Sequence, residues 1–323
     1  MSAAAGSQAV ERLRNYFLGA RTCEPWSRRV GLEVETLFVD GRTAEPIGWP
    51  TSQAILRRLA AAPGWRTGAI HGDLVTELGR GGTALKYDTG WNIFELITEP
   101  YRLSDHARLF ADATLCLAEL YEAAGQSGAR PLATHSDGCR SDTVAPCGPS
   151  YELSRRLNGP SIRYLAHIAS VHYNFDLCSV DEGMAWIAAL AALYERRQWP
   201  PAEAQACWRE FLAEADAGYE KRRFGAPPVT FRDYVAELAG FKVFVAPSDG
   251  GPRLVQPPRR LDQGFPDDHD LFVKFVWWWS RLRVRGGQLV LEARAVPRAD
   301  DGALAMVFEL LCRALGIDVT PCG

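Results

Sequence analysis

Three short motifs set charged or polar residues two positions apart: Glu33-Val34-Glu35, His172-Tyr173-Asn174 and Glu292-Ala293-Arg294. Each lies in an apolar or β-branched run, which predicts a strand, and on a strand residues i and i+2 point to the same face. Turning carboxylates, a histidine and an arginine inward from several strands is costly unless a metal ion or a phosphate compensates them. The pattern therefore predicts a sheet with one face that holds divalent cations and a nucleotide phosphate.

The rest of the composition narrows the class. With 323 residues, 47% of them hydrophobic, the chain can bury a large core, as one elaborate domain or as two closely joined ones. A net charge of −3 gives no electrostatic field for nucleic acid. The longest apolar stretches, such as Met184–Tyr194, fall short of a membrane span, and Met1–Ala20 is amphipathic with no signal-like apolar core. Eight cysteines are scattered without metal-binding spacing, which fits reduced thiols and a cytoplasmic location. Cys139 and Cys147 bracket one loop and could pair, but reduced thiols are the expectation.

Periodicity predicts helices over 7–19, 52–61, from Ser104 or Asp105 to about Ala124, 181–197, 201–217 and 302–315. The third would bury Leu109, Leu115 and Leu120. Strands are predicted over Arg29–Val39, Leu74–Leu78, Ala84–Tyr87, Asn92–Thr98, Pro131–His135, the end of Ile162–Leu177, Phe272–Trp279 and Gln288–Ala295. Gly218–Asp270 is rich in Pro, Gly and charge and reads as a lid or auxiliary lobe. Strands interleaved with helices, without a GxGxxG or P-loop motif, predict an α+β chain with a mixed or antiparallel sheet.

Four segments in order resemble the glutamate–cysteine ligases. Gly31-Leu32-Glu33-Val34-Glu35 is similar to that family's opening G-x-E-x-E strand. Asp88, seven residues before Glu95 in a segment running to Thr98 and Pro100, resembles its acidic strand, though Glu99 intervenes before the proline. Ser170-Val171-His172-Tyr173-Asn174-Phe175 looks like its histidine strand, and Arg285-Gly286-Gly287 with Glu292-Ala293-Arg294 like its late R-G-G…E-x-R strand. The resemblance implies a single catalytic domain over 1–323 with a glutamine-synthetase-like fold, a curved, mainly antiparallel sheet forming a funnel flanked by helices and binding Mg²⁺ and ATP. It implies that Glu35, Asp88 and Glu95 hold one Mg²⁺, that Glu33, His172 and Glu292 hold a second at the ATP phosphates, and that Arg294 faces the γ-phosphate. Arg285 and Asn174 join the nucleotide side. The implied reaction joins a small-molecule carboxylate, glutamate first, to an amine, most simply cysteine. Nothing in the sequence fixes the oligomeric state.

Each residue also has a plain structural explanation. An isolated E-x-E is most often a solvated strand face, His172 alone a core histidine, and Asp88 a cap for the Thr89-Gly90 turn. Arg281, Arg283 and Arg285 share one face of a strand. A charged edge explains the first two, and only Arg285 belongs to a motif. Trp277-Trp278-Trp279 alternate between faces and read as core and rim packing, although they could stack on adenine. Cys178 reads as a buried thiol rather than a nucleophile. The other functions open to such a sheet are a phosphotransferase of the guanidino-kinase type and a non-catalytic nucleotide-binding partner protein.

Overall fold

The structure is a computed structural model that describes residues 3–139, 141–145, 149–248, 253–261 and 269–319. Its strands are β1 (Arg29–Asp40), β2 (Arg66–His71), β3 (Leu74–Arg80), β4 (Thr83–Tyr87), β5 (Ile93–Ile97), β6 (Tyr101–Arg102), β7 (Ala129–Leu132), β8 (Ser170–Asp176), β9 (Phe224–Gly225), β10 (Lys242–Ala246), β11 (Arg253–Arg260), β12 (Trp277–Trp278), β13 (Ser280–Arg285) and β14 (Gln288–Pro297). The α-helices are α1 (Ala3–Leu18), α2 (Trp49–Ala60), α3 (His106–Gly125), α4 (Pro149–Asn158), α5 (Val180–Arg197), α6 (Ala202–Glu214), α7 (Phe231–Gly240), α8 (His269–Lys274) and α9 (Ala303–Ala314). None of the described helices is long and apolar enough to cross a membrane.

Ten strands form one antiparallel sheet in the order β13-β14-β8-β1-β5-β4-β3-β2, with β6 and β7 also paired to β1. This is the α+β arrangement the sequence predicts. The central strand β1 is buried almost throughout, and its alternation divides two environments. Val30, Leu32 and Val34 face a core shared with Tyr173 and Phe175 of β8 and Leu289 and Leu291 of β14. Helices α1, α3, α5, α7 and α9 close that core, with Phe308 of α9 stacked on Phe175 at 5.9 Å between ring centroids. Gly31, Glu33 and Glu35 point the other way.

The R-G-G motif has a local cause. Arg285 pairs with Gln288, so Gly286 and Gly287 alone make the β13–β14 turn, at φ +56° and +81°. A two-residue turn that matches strand twist needs positive φ at both positions, which glycine adopts without strain.

Several expectations differ from the structure. Phe272–Trp279 is not one strand: α8 ends at Lys274 and only Trp277–Trp278 extend, as β12 beside β9. The run is apolar throughout, so periodicity could not separate helix from strand. Leu115 is 50% exposed. At about 100° per residue it lies some 240° round from Leu109, and the buried stripe runs through Leu109, Ala113, Leu117 and Leu120 instead. No side chain of Ser104 or Asp105 caps α3. The strand expected over Pro131–His135 is β7, Ala129–Leu132. Residues 159–167 form a 3₁₀ helix before β8. Within 218–270, α7 is scaffold: Tyr234 and Leu238 lie in the main core, and the Tyr234 hydroxyl accepts the Leu282 N–H at 2.8 Å. The β10–β11 hairpin forms its own sheet, with β11 largely exposed. Cys178 is half-buried, 3.6 Å from the Cys23 sulfur, and the six described cysteines are free thiols. Cys147 lies outside the described residues, so its pairing with Cys139 is not addressed.

Candidate active site

Antiparallel register brings the motifs onto one face. Glu33 sits opposite His172, Glu35 opposite Glu95, and Glu292 opposite both Asn174 and Arg281. Lys86 faces Glu95 across β4–β5. Between Ala293 and Val296 the β14–β8 register shifts, inserting an extra residue beside Arg294. Such a bulge bends the strand and re-aims its side chains. The result is a cavity of about 570 Å³ whose lining includes Glu33, Glu35, Asp88, Glu95, His172, Glu292, Arg285 and Arg294.

The acidic half lies on β1, β5 and β8. Ligand atoms of Glu33, Glu95 and His172, all buried, come within 4.8 Å of one another. His172 Nδ1 is 2.9 Å from Glu33 Oε2, and its Nε2 is 3.7 Å from Glu35. Ser170 donates to Glu35 through both its backbone N–H (2.7 Å) and its hydroxyl (2.8 Å). Lys86 pairs with Glu95 at 2.9 Å. Asp88 is half-buried beside them and accepts the Thr89 hydroxyl at 3.3 Å, so its local turn role is also present.

Charge in this half is undercompensated. Burial, with the charges of Asp88 and Glu95, raises the Glu35 carboxyl well above its usual range. Burial, with the Glu33 charge, also raises Asp88 despite Lys86. Glu95 is pushed up to about 6 by burial and by Glu33 and Asp88. Glu33 differs: burial opposes its ionisation, but His172 and Arg285 hold it down at about 2. Oxygen donors around one imidazole, with three carboxyls raised despite Lys86, fit a hard divalent cation such as Mg²⁺.

The other half is an arginine cluster around Glu292. Arg281 Nε bonds Glu292 Oε2, Arg294 approaches the same oxygen at 3.2 Å, and Arg285 reaches Oε1 at 2.8 Å. Arg283 stands 3.8 Å from Oε1 and bonds Asp270 of α8 at 2.7 Å. Burial opposes the Glu292 charge, yet these four guanidinium groups hold its carboxyl well below the usual range. Arginines engage both Glu292 oxygens, and Glu292 shares the central cavity with Glu33 and His172. Arg285 bridges the halves, also reaching Glu33 Oε1 at 2.7 Å. Asn174 donates to that oxygen at 3.2 Å, leaving its own Oδ1 buried and unpaired, as is Arg285 Nε.

Sequence reasoning missed four participants. Ser170 was legible two positions before His172, and Lys86 followed from pairing two predicted strands. Arg281 and Arg283, expected on a charged edge, are buried, since α8 and β14 cover them. The central cavity continues at both ends of the face. One neighbour, about 170 Å³, shares Glu35, Asp88, His172 and Arg294 and is walled by Trp208, Phe224 and Trp277–Trp279. The other, about 190 Å³, shares Glu33 and Arg285 and includes Gly31, Thr98, Asn174 and Asp176.

No protein-family model matches the chain, and no curated protein matches it. Among solved structures it is similar to a glutamate–cysteine ligase from Francisella tularensis in complex with AMP, at 13% identity and TM-score 0.44, over 93% of this chain and 69% of that one. It is also similar to a bifunctional glutathione synthetase from Pasteurella multocida, at 14% identity and TM-score 0.38, over 98% of this chain and 40% of that one. At that level of superposition the likeness carries no functional argument.

Proposed function

We propose that the chain is an ATP-dependent carboxylate–amine ligase, which activates a carboxylate, glutamate first, as an acyl phosphate and joins it to an amine. The observation that carries this reading is the division of one face into a buried acidic half and a buried arginine half, bridged by Arg285. Glu33, Glu35, Asp88, Glu95 and His172 would hold Mg²⁺, with Glu292 available only where an arginine leaves its oxygens. The ion would neutralise charge between substrate carboxylate and triphosphate.

The protein's own part is binding and alignment. Arg285 and Arg294 supply planar forks for phosphate oxygens, with Arg294 placed where charge spreads over the transferred group. Asn174, bonded to Glu33 and lining the cavity at the Glu33 end, joins the nucleotide side. The tryptophan-lined cavity at the Glu35 end leaves room for a second substrate. The exposed β10–β11 hairpin is the remaining candidate for a cover that keeps water from the acyl phosphate.

The test is ADP release with ATP, Mg²⁺ and glutamate, with and without a pool of amines, while mass spectrometry follows new amides. A ligase requires both substrates for sustained turnover and makes the amide. Phosphorylated product without amide would establish a phosphotransferase, and nucleotide binding without turnover a partner protein.

A further inference from the structure

The tryptophan-lined cavity constrains the amine. Its wall is aromatic: Trp208 stacks on Phe224 at 5.2 Å and 16°, and Trp277 lies 5.4 Å from Trp208. Leu165, Ile168 and Val296 add apolar surface. Charge is confined to the end shared with the central cavity, apart from His135, whose Nε2 is 2.8 Å from Glu203. Among the described lining residues there is no lysine, and the single arginine, Arg294, is held to Glu292 at 3.2 Å.

A ligand carboxylate lodged against the indoles would lose its hydration, and the one arginine at that cavity is already engaged by Glu292. A neutral amine, the form whose lone pair can attack, brings no charge to desolvate against the indoles. The size also selects: a cavity of about 150 Å³ takes a benzene ring, so about 170 Å³ suits one ring with a short side chain. The Trp278 N–H is already donated to the Arg222 carbonyl and is not offered to a purine.

We propose that the amine acceptor is an arylalkylamine without a carboxylate, its ring against the wall of Trp208, Phe224, Trp277 and Trp279 and its nitrogen at the end shared with the central cavity. The proposal rests on the ligase reading. The amine nitrogen attacks the acyl phosphate carbonyl, the C–N bond forms, and the carbonyl C–O bond to phosphate breaks. Inorganic phosphate leaves with that electron pair and takes the proton the nitrogen releases.

The experiment supplies ATP, Mg²⁺ and each of L-glutamate, L-aspartate and succinate with five acceptors: hydroxylamine, phenethylamine, n-hexylamine, L-phenylalanine and L-cysteine. Hydroxylamine traps an acyl phosphate without needing the aromatic cavity. Phenethylamine should exceed n-hexylamine and both amino acids by at least about tenfold in kcat/KM, the scale of one aromatic contact. It should also quench tryptophan fluorescence without nucleotide, and Trp208→Leu should lower the phenethylamine-to-hydroxylamine rate ratio about tenfold. Hydroxamate formation with cysteine or phenylalanine as the better acceptor overturns the proposal and leaves the ligase standing. A Trp208→Leu variant whose KM rises for ATP and not for the amine assigns the cavity to adenine and also overturns it. No hydroxamate from any carboxylate overturns both.

Discussion

Glu95 binds its proton more tightly in the folded chain than in solution, and that has a measurable sign. Its carboxyl rises from an ordinary 4.5 to about 6, so its contribution to stability is present below about pH 4.5 and is lost as pH rises through about 6. The loss reaches about 2 kcal/mol, and Glu35 and Asp88, also raised, act in the same direction. Glu33 and Glu292 are depressed and contribute the reverse, lost only as pH falls below the usual carboxylate range. Thermal melts from pH 4.5 to 7 in EDTA should therefore carry a downward contribution that saturating Mg²⁺ removes. Identical pH slopes with and without Mg²⁺ would mean that no cation joins this cluster. Glu33→Gln keeps the shape but deletes one charge, and turnover should fall by at least about a thousandfold at saturating Mg²⁺. Arg294→Lys keeps the charge and loses the fork, so kcat should fall more than KM for ATP rises. A loss confined to that KM would make Arg294 a ground-state binder.

At the scale of elements, the β13–β14 hairpin turns an edge into a buried charge network. Arg281 donates to the carbonyls of Val273 and Val276 at the end of α8, and Arg283 reaches Asp270 on the same helix. Both guanidinium groups depend on Glu292, which is 1% exposed. Glu292→Gln should lower stability by about 3–5 kcal/mol in denaturant melts, because it leaves buried arginines uncompensated. Glu33→Gln, which leaves His172 and Arg285 near other acids, should cost clearly less. Equal losses would show that the arginine cluster does not depend on its central carboxylate. This network marks where the sequence stops being legible. The face shared by Glu33, Glu35, His172 and Glu292 followed from a period of two, and β1, β8 and β14 fell close to their expected bounds. What covers an edge strand is a long-range fact, and alternation in Arg281-Leu282-Arg283 reads the same under α8 as in water. The three tryptophans were ambiguous for a similar reason: Trp278 is core, while the walls made by Trp277 and Trp279 appear only once α6 and β9 arrive beside them.

For the whole molecule, the sheet separates charge without separating function. The central cavity is lined by six acids, Glu33, Glu35, Asp88, Glu95, Asp270 and Glu292, and by six bases, Lys86, Lys274, Arg281, Arg283, Arg285 and Arg294. The totals balance, but β1 and β5 gather carboxylates while β13 and β14 gather guanidinium groups. A polyanion alone gains from the second half and is repelled by the first. A divalent cation alone gains from the first, with Arg285 competing for Glu33 at 2.7 Å. Bound together, each relieves the other's repulsion, and Arg285 can move its charge from carboxylate to phosphate. Linkage then requires that each ligand tighten the other by the same factor. A non-hydrolysable ATP analogue titrated in a calorimeter should bind at least about tenfold more weakly in EDTA than with excess Mg²⁺. Arg285→Met should shrink that ratio by removing the charge that competes with the cation and then serves the phosphate. An ATP affinity indifferent to Mg²⁺ would place the triphosphate wholly among the arginines, with the acidic half serving some other purpose.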